Sequence, residues 1–316
     1  MRKLEDMDPV VLENGVIVYI SGYDQKDTLY GKIAYILSSE GNKIIQNRKY
    51  IKYPFPLGDS KWGNFKENIE EQFPDFICGF DLDPHVVSFR KEIVKCSPDP
   101  FEVFSIMENN PKISEIFDLL DNRKRFKLGI IGSILLGSRT YGDLDILVYG
   151  KDKLDELSES LEHCPGVRRM LKEELLQKQL HEYKTIFPNI SERTIAKMIN
   201  NRSQSRFFIN NTEISLWARY DRTLRTCFYE TPHDVSQERV QTRIRVSDDT
   251  FTEYFPVVLK DEKNLDRILM FNRFFRGAFR NGDELFLDGK KATFYTDKED
   301  LEFIVIDYES FIELEN

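Results

Sequence analysis

Residues 128–150 read LGIIGSILLGSRTYGDLDILVYG, in which two apolar runs are joined by a turn rich in glycine and polar residues. Short apolar runs that are bounded by glycine are typical of buried strands. Successive side chains of a strand point to opposite faces of its sheet. Asp143 and Asp145 are therefore predicted to share one face, while Leu144 and Ile146 point into a core.

The two aspartates form a candidate metal site. Neighbouring carboxylates repel one another, and a cation removes that repulsion. Carboxylate oxygens suit Mg²⁺ or Mn²⁺, and Mg²⁺ commonly shares its coordination shell with substrate phosphates. An aspartate pair beside a glycine-rich turn therefore favours a site for a nucleoside triphosphate. The alternative is a strand end at which the two aspartates merely meet solvent or cap a helix, since such pairs are common.

The pattern around the pair is more specific than the pair itself. Gly132-Ser133 ends the first apolar run, and Asp143-Leu144-Asp145 begins the second run about ten residues later. This arrangement resembles the signature of the DNA polymerase beta nucleotidyltransferase superfamily. The resemblance implies that Asp143 and Asp145 bind catalytic metal ions, and that the backbone and hydroxyl of Gly132-Ser133 hold a triphosphate.

A second register of the same motif is possible. Gly137-Ser138 is also a Gly-Ser dipeptide, although only five residues lead from Ser138 to Asp143. Ser138 and Arg139 are therefore secondary candidates for binding phosphate. Members of the family usually carry arginines directly after Gly-Ser, whereas residues 134–136 here are Ile, Leu and Leu. Arg139, or a residue elsewhere in the chain, would have to supply that positive charge.

The resemblance also implies a third carboxylate on a later strand, where it helps to deprotonate the attacking hydroxyl and to bind a second metal ion. The best match is Glu213 in TEISLW, residues 212–217, because it shares a strand face with Ser215 and Trp217. Asp221 and Glu230 are further candidates. The alternative for Glu213 is an ordinary strand carboxylate that faces water.

The segment between the two acidic strands is basic. RTIAKMINNRSQSRFF, residues 193–208, carries Arg193, Lys197, Arg202 and Arg206 with few acids. Arg193 and Lys197 are spaced to share a helix face. In an acidic protein such a strip could bind a triphosphate or a polynucleotide end, and Arg202 and Arg206 are the candidates for phosphate binding. A solvated helix face and loop is the alternative.

Hydrophobic periodicity divides the chain into an N-terminal β lobe at 1–98, a nucleotidyltransferase-like core at 99–230 and a C-terminal β lobe at 231–316. The predicted fold class is mixed, α+β or α/β: a central mixed sheet of nucleotidyltransferase type carries helices and is flanked by β regions that form a small barrel or sandwich. The general arrangement, with its Asn14-Gly15 hairpin, also resembles archaeal proteins described only as predicted nucleotidyltransferases.

Local signals refine this division. Helical spacing predicts helices near 100–107, 111–120, 152–163 and 167–183, and Ser191 is a candidate N-cap for a helix at 192–201. Asn210-Asn211 predicts a hairpin between two short β-type runs. The C-terminal region is expected to be β, with a strand over 270–279 and turns at Asn281-Gly282-Asp283 and at Asp288-Gly289.

Composition excludes several classes of protein. The formal net charge of −9 argues against a broad basic surface for long nucleic acid. No apolar run approaches the roughly 20 residues of a membrane-spanning helix, so we expect a cytoplasmic protein without a membrane partner. The four cysteines and the four histidines lack metal-ligand spacing, and none of them is assigned a role.

These observations predict an enzyme that moves a nucleoside monophosphate from a triphosphate to a hydroxyl on an RNA end, a protein or a small molecule. The acidic balance favours a compact acceptor or a short RNA end. One alternative is a nucleotide- or RNA-binding protein that keeps the fold without turnover, and another is a structural partner protein. Some aromatic residues could stack bases, although core packing is the more common role. They are Tyr50, Tyr53, Phe274, Phe275 and Phe279.

Overall fold

A computed structural model describes residues 2–23, 25–53, 65–121, 125–138, 142–219, 227–262, 267–307 and 309–315. Over these residues the protein is a mixed α+β structure with three separate sheets, so the mixed class that the sequence predicts is confirmed. No helix in the described part of the chain is long and apolar enough to cross a membrane.

The N-terminal sheet contains eight strands in the order β4-β5-β3-β2-β1-β8, with β7 paired to β3 and β6. Asn14 and Gly15 lie between β1 and β2, where Gly15 has a φ of 86°, and the predicted hairpin is confirmed. A short helix, α1 (Phe65–Gln72), belongs to this region. The strands are β1 (Pro9–Leu12), β2 (Ile17–Ile20), β3 (Thr28–Leu37), β4 (Lys43–Ile45), β5 (Arg48–Lys52), β6 (Ile77–Cys78), β7 (Val87–Arg90) and β8 (Val94–Cys96).

The central sheet has five strands in the order β11-β12-β13-β10-β9, and β10 lies parallel to β13 but antiparallel to β9. Its strands are β9 (Leu128–Ile131), β10 (Asp143–Tyr149), β11 (Val167–Arg169), β12 (Arg206–Ile209) and β13 (Thr212–Arg219). The helices of this region are α2 (Phe104–Asn109), α3 (Pro111–Leu120), α4 (Lys151–Glu162), α5 (Lys172–Ile186) and α6 (Glu192–Arg202).

One face of the central sheet is a continuous apolar core. Leu144 and Ile146 of β10 and Ile214 of β13 are fully buried and join one cluster with Ile113 of α3 and Leu157 of α4. Burial of each such side chain stabilises the folded state by about 1.5–3 kcal/mol. This packing determines which face of the sheet is apolar, and it leaves the alternate residues of β10 and β13 on the opposite face.

The C-terminal sheet has the order β14-β15-β16-β18-β17-β19, and β14 also pairs with β17. Its inner residues pack against α5 and α6, as Ile195 and Ile268 do within one cluster. A separate cluster joins the two terminal sheets, where Phe80 and Val86 meet Phe271. The strands are β14 (His233–Asp248), β15 (Val257–Asp261), β16 (Arg267–Met270), β17 (Glu284–Tyr295), β18 (Asp300–Ile306) and β19 (Phe311–Leu314).

Two local predictions in the core region are confirmed. The Ser191 hydroxyl accepts a hydrogen bond from the backbone N–H of Thr194 at 3.2 Å and caps α6. Asn210 and Asn211 have φ angles of 48° and 60°, which is the left-handed conformation that a tight hairpin between β12 and β13 requires.

Three other local predictions are wrong. The helix predicted over 167–183 begins only at Lys172, because residues 167–169 pair with β12 as an edge strand. The strand predicted over 270–279 ends at Met270, and a 3₁₀ turn follows at Arg273–Phe275. Asp288-Gly289 lies within the continuous strand β17 and makes no turn. A Cβ at Gly289 would lie 2.7 Å from Ile304 Cγ2, so this glycine allows β18 to approach closely.

Candidate active site

The face of the central sheet opposite the core carries a row of charged side chains. Asp143 pairs with Glu213 across the parallel β10–β13 interface, and Asp145 pairs with Ser215. Arg206 on β12 pairs with Ser215 from the other side. Paired positions on strands about 4.8 Å apart direct their side chains to the same face. The register thus brings the predicted residues Asp143, Asp145, Glu213 and Arg206 to one surface of the sheet.

Asp145 is half-buried on this surface, whereas Asp143 is exposed at the start of β10. The indole N–H of Trp217 donates a hydrogen bond of 2.9 Å to Asp145 Oδ1. Burial, followed by the charge of Asp143, raises the pKa of Asp145 to about 6, although Trp217 and Arg206 act in the opposite direction. A cation bound to both aspartates would offset the cost of their negative charge.

Asp143 and Asp145 are called the acid pair below, and Gly132 lies directly against Asp145. Its φ is 78°, a left-handed conformation that favours glycine, and a Cβ at this position would be 3.0 Å from Asp145 Oδ2 and would force the carboxylate to shift. Ser133 lies in the same turn, and its carbonyl accepts a 2.9 Å hydrogen bond from the N–H of the buried Ser138. Arg139, the remaining candidate from this turn, lies outside the described residues.

The apolar residues that follow Gly132-Ser133 are packing residues. Ile134 and Leu135 join the core beneath the central sheet, and Leu136 packs with Ile17 and Tyr50 of the N-terminal sheet. All three residues of 134–136 are buried. The turn beside the acid pair is therefore anchored to two cores, which explains why isoleucine and leucine rather than arginine occupy these positions.

Glu213 has a cationic partner. Lys178 Nζ on α5 lies 2.7 Å from each of the two carboxylate oxygens of Glu213. Lys178 is half exposed, at 51%, and Glu213 is 15% exposed, so the ion pair closes the outer edge of the acidic surface. Among the described residues no group of three His, Cys, Asp or Glu is arranged to hold a metal ion. The two aspartates are thus the direct candidates, and Glu213 could join them only by releasing Lys178.

Two buried arginines face the same surface. The guanidinium of Arg206 lies 4.6 Å from the centre of the Trp217 ring, and that of Arg202 lies 5.6 Å from it. Arg202 donates a hydrogen bond to the hydroxyl of Tyr183. Burial and the nearby Arg202 lower the pKa of Arg206 to about 10, against the opposite effect of the aspartates. Arg206 Nε makes no hydrogen bond to any described residue, so this buried donor could bind an anion.

The other candidates lie elsewhere. Arg193 is exposed on α6, and the charge of Lys197 acts on Asp283 of the C-terminal region. The Glu230 carboxylate lies beside Tyr30 and Lys26 of the N-terminal lobe, and Asp221 lies outside the described residues. The basic strip between the acidic strands therefore contributes only its last two arginines to the acidic surface.

Several residues near the aspartates carry no local signal in the sequence. Tyr19 and Tyr35, from the N-terminal sheet, both have pKa values raised by burial and, further, by the charge of Asp145. The buried Arg276 guanidinium lies 5.6 Å from the Trp217 ring and bonds Asp6 at 3.0 Å. Trp217 alone shows a signal, because it alternates with Glu213 along β13. The surroundings of the two aspartates thus include residues of the N-terminal sheet and of the segment between β16 and β17.

Comparison with protein-family models, with curated proteins and with solved structures found no match to this chain.

Chemically, this surface combines two aspartates, a glycine turn that exposes backbone beside them, and two buried guanidinium groups. The carboxylates can hold a hard divalent cation, and guanidinium groups bind phosphate oxygens with directed hydrogen bonds. A ligand with several anionic oxygens and an accompanying metal ion is the chemistry that both sets of groups can bind together.

Proposed function

We propose that this protein is a metal-dependent nucleotidyltransferase of the DNA polymerase beta type, which transfers a nucleoside monophosphate from a nucleoside triphosphate to a hydroxyl acceptor. The observation that carries this proposal is the shared face of Asp143 and Asp145, in register with Glu213 and in contact with the Gly132 turn. A solvated strand end does not account for a carboxylate as enclosed as Asp145 or for the glycine pressed against it.

The residues fit a divalent cation, Mg²⁺ or Mn²⁺. Asp143 and Asp145 would hold it, since burial and the charge of Asp143 disfavour the charged state of Asp145 without a counterion. When bound, the ion would neutralise charge on the phosphate oxygens and assist the departure of pyrophosphate. Trp217 contributes orientation, because its hydrogen bond to Oδ1 directs the remaining lone pairs of Asp145 into the site.

The protein's own groups would then position the reactants. The Gly132-Ser133 backbone and the guanidinium groups of Arg202 and Arg206 hold phosphate oxygens. Glu213 accepts the proton of the acceptor hydroxyl once Lys178 has turned away. The acceptor oxygen forms a bond to the α-phosphorus, and the bond from that phosphorus to the bridging oxygen breaks to release pyrophosphate. Catalysis in this scheme consists of positioning and charge neutralisation.

A second candidate is a nucleotide-binding protein without turnover. Two observations favour it: Lys178 occupies both oxygens of Glu213, and residues 134–136 are packing residues where the family has arginines. This candidate predicts nucleotide binding that depends on Asp143 and Asp145 but no transfer of label.

The test is incubation of the purified protein with each α-labelled nucleoside triphosphate, Mg²⁺ or Mn²⁺, and RNA or protein extract. We expect label to appear on an acceptor and to be lost in Asp143→Ala and in Asp145→Ala. Asp118→Ala, which removes an exposed carboxylate from α3, is the matched control and should retain transfer. Metal-dependent nucleotide binding without transfer would support the second candidate, and absence of any nucleotide binding would overturn both.

A further inference from the structure

A cavity of about 460 Å³ lies between the N-terminal sheet, α5 and the segment that follows β16. Tyr35 and Lys52, which are paired across β3 and β5, form one wall. Arg273 and Phe274 form another wall, and Glu182 of α5 lies at its edge. Cavities of roughly 300–1,000 Å³ are typical sites for small molecules.

The cavity adjoins the acid pair. Tyr19 and Tyr35 line it, and both pack in one cluster with Leu136 of the turn that contains Gly132. The charge of Asp145 also raises the pKa of both tyrosines. Tyr19 also lies beside the backbone of Gly132. A molecule in the cavity would therefore lie within reach of a metal ion and a triphosphate held at Asp143 and Asp145.

The lining combines aromatic rings with positive charge. Tyr19, Tyr35, Tyr53 and Phe274 supply four rings. The sequence also suggests Tyr50, Phe275 and Phe279 as residues that stack on bases. These three side chains are buried in the core and do not line the cavity. Flat rings of this kind accept any nucleobase by stacking.

The charges of the lining are Lys32, Lys52 and Arg273 against Glu182 alone. Lys32 is committed to the buried Asp83, at 3.0 Å. Lys52 is exposed. Arg273 donates to the carbonyl of Ile20 and lies 3.6 Å from Asp6, and its Nε makes no hydrogen bond to any described residue. Lys52 is therefore the main cation offered to an anionic ligand, and the Arg273 Nε is a further donor.

We infer that this cavity binds the acceptor of the transfer reaction, and that the acceptor is a nucleoside monophosphate unit, most simply the terminal nucleotide of a short RNA. The inference rests on the proposed function. The triphosphate already has Gly132, Ser133, Arg202 and Arg206 on the sheet surface. Lys52, with the Nε donor of Arg273 and the aromatic rings, fits a different ligand that brings its own phosphate.

The experiment measures binding without a nucleoside triphosphate and without metal, so it does not depend on turnover. Its probes are the four nucleoside 5′-monophosphates, followed by calorimetry, and a 5′-fluorescein-labelled RNA hexamer with a free 3′ end, followed by anisotropy. Lys52→Gln and Tyr35→Leu should each weaken binding about tenfold, because one removes a charge and the other a stacking ring. If both the monophosphates and the hexamer bind, the cavity recognises a single nucleoside monophosphate. If only the hexamer binds, the cavity recognises the end of an RNA strand.

Two variants serve as matched controls. Lys49→Gln removes the same charge from the opposite face of β5, and Tyr35→Phe keeps the ring. Both should bind the probes as the wild type does. Affinity for Mg²⁺ with a nucleoside triphosphate should stay unchanged in Lys52→Gln.

Three results are decisive against parts of the scheme. Equal weakening by Lys49→Gln and Lys52→Gln, or no weakening by Lys52→Gln and Tyr35→Leu, would overturn the cavity as the binding site. If Lys52→Gln and Tyr35→Leu weaken the affinity for the triphosphate but leave monophosphate and RNA binding intact, the cavity binds the donor rather than the acceptor, and the acceptor assignment is overturned. Nucleotide binding that depends on Lys52 and Tyr35, in a protein that never transfers label, would contradict the proposed function while the cavity remained a nucleotide site.

Discussion

The two faces of the central sheet are built from the same strands but have opposite chemistry. On one face Leu144, Ile146 and Ile214 are fully buried against α3 and α4. On the other, Asp143, Asp145 and Glu213 stand in register across β10 and β13. Over residues 143–146 of β10, the residues that serve the fold thus alternate with those that serve the site.

The two faces separate the residues that stabilise the fold from those that carry the chemistry. The apolar face is independent of pH and of ions, because it is held by burial. The acidic face concentrates negative charge around a partly enclosed Asp145, and such sites commonly reduce stability for the sake of function. Substitutions on adjacent residues of β10 should therefore have opposite effects on stability and on activity.

The largest expected effect is that of Asp145→Asn on catalysis. Loss of a metal ligand should lower kcat/KM by on the order of a thousandfold, or about 4 kcal/mol. The asparagine oxygen can still accept from Trp217 and no longer carries charge, so the free energy of unfolding at pH 8 should not fall. Transfer assays and urea unfolding measure the two quantities. A variant that loses stability along with activity would break the separation of the two faces.

Ile146→Ala is the converse substitution on the neighbouring residue. Ile146 is fully buried in the core face, so its truncation should lower the free energy of unfolding by about 3 kcal/mol. Activity per folded molecule should stay within about twofold of the wild type. The urea midpoint reports the stability change, and a selective loss of activity in a fully folded sample would contradict the proposed division of labour.

Acid stability sharpens the comparison, because it involves a residue outside the central sheet. Burial, and then the charge of Lys32, lower the pKa of His85 far below its ordinary value. Below pH 6.5 the unfolded chain binds a proton at His85 that the folded chain does not bind. The free energy of unfolding is therefore highest above that pH and falls as the pH is lowered. Between pH 7 and pH 5 the loss should be about 2 kcal/mol.

His85→Asn removes this titration, and unfolding in urea across the pH range should show a shallower slope than in the wild type. Exposed His181→Asn is the control and should keep the wild-type slope. An unchanged slope in His85→Asn would mean that the acid sensitivity arises elsewhere. Comparing the wild type with His85→Asn also shows how much of a loss of activity at low pH comes from unfolding rather than from titration of the active site.

Gly132→Ala tests the closest backbone approach to the acidic face. The residue has a φ of 78°, and the added Cβ would meet Asp145 Oδ2 at 3.0 Å. We expect a loss of about 1–2 kcal/mol in unfolding free energy from the left-handed backbone, with a larger loss of activity than of stability. Gly142→Ala is the control, since a Cβ there meets nothing within 4 Å. Similar results for both glycines would remove Gly132 from the site.

The smallest expected effect is that of Lys178→Gln. Lys178 is half exposed, so its ion pair with Glu213 should contribute less than about 1 kcal/mol to stability. Release of Glu213 should raise the affinity for Mn²⁺ by about threefold, measured by calorimetry. Lys184 lies on the same helix as Lys178, and Lys184→Gln, which breaks the exposed ion pair with Glu192 of α6, is the control and should leave metal affinity unchanged. A weaker metal affinity in Lys178→Gln would mean that Glu213 does not act at the metal.

Local pattern was sufficient for much of the fold. Strand alternation predicts that Asp143 and Asp145 share a face, and that Glu213 and Trp217 share another strand's face. The Ser191 cap and the Asn210-Asn211 hairpin follow from side chains that act within a few residues of themselves. Where local pattern failed, as at Asp288-Gly289 and at residues 167–169, a distant strand supplies the partner that overrides the local preference.

What the amino-acid sequence alone determined is therefore the alternation of apolar and acidic residues along each strand, because that pattern reports burial residue by residue. Only the tertiary structure decided that β10 and β13 lie parallel with Glu213 beside Asp143, that Lys178 closes over Glu213, and that Tyr35 reaches the same place from another sheet. Register between strands far apart in the chain is set by the packing of whole elements, and no local signal encodes it.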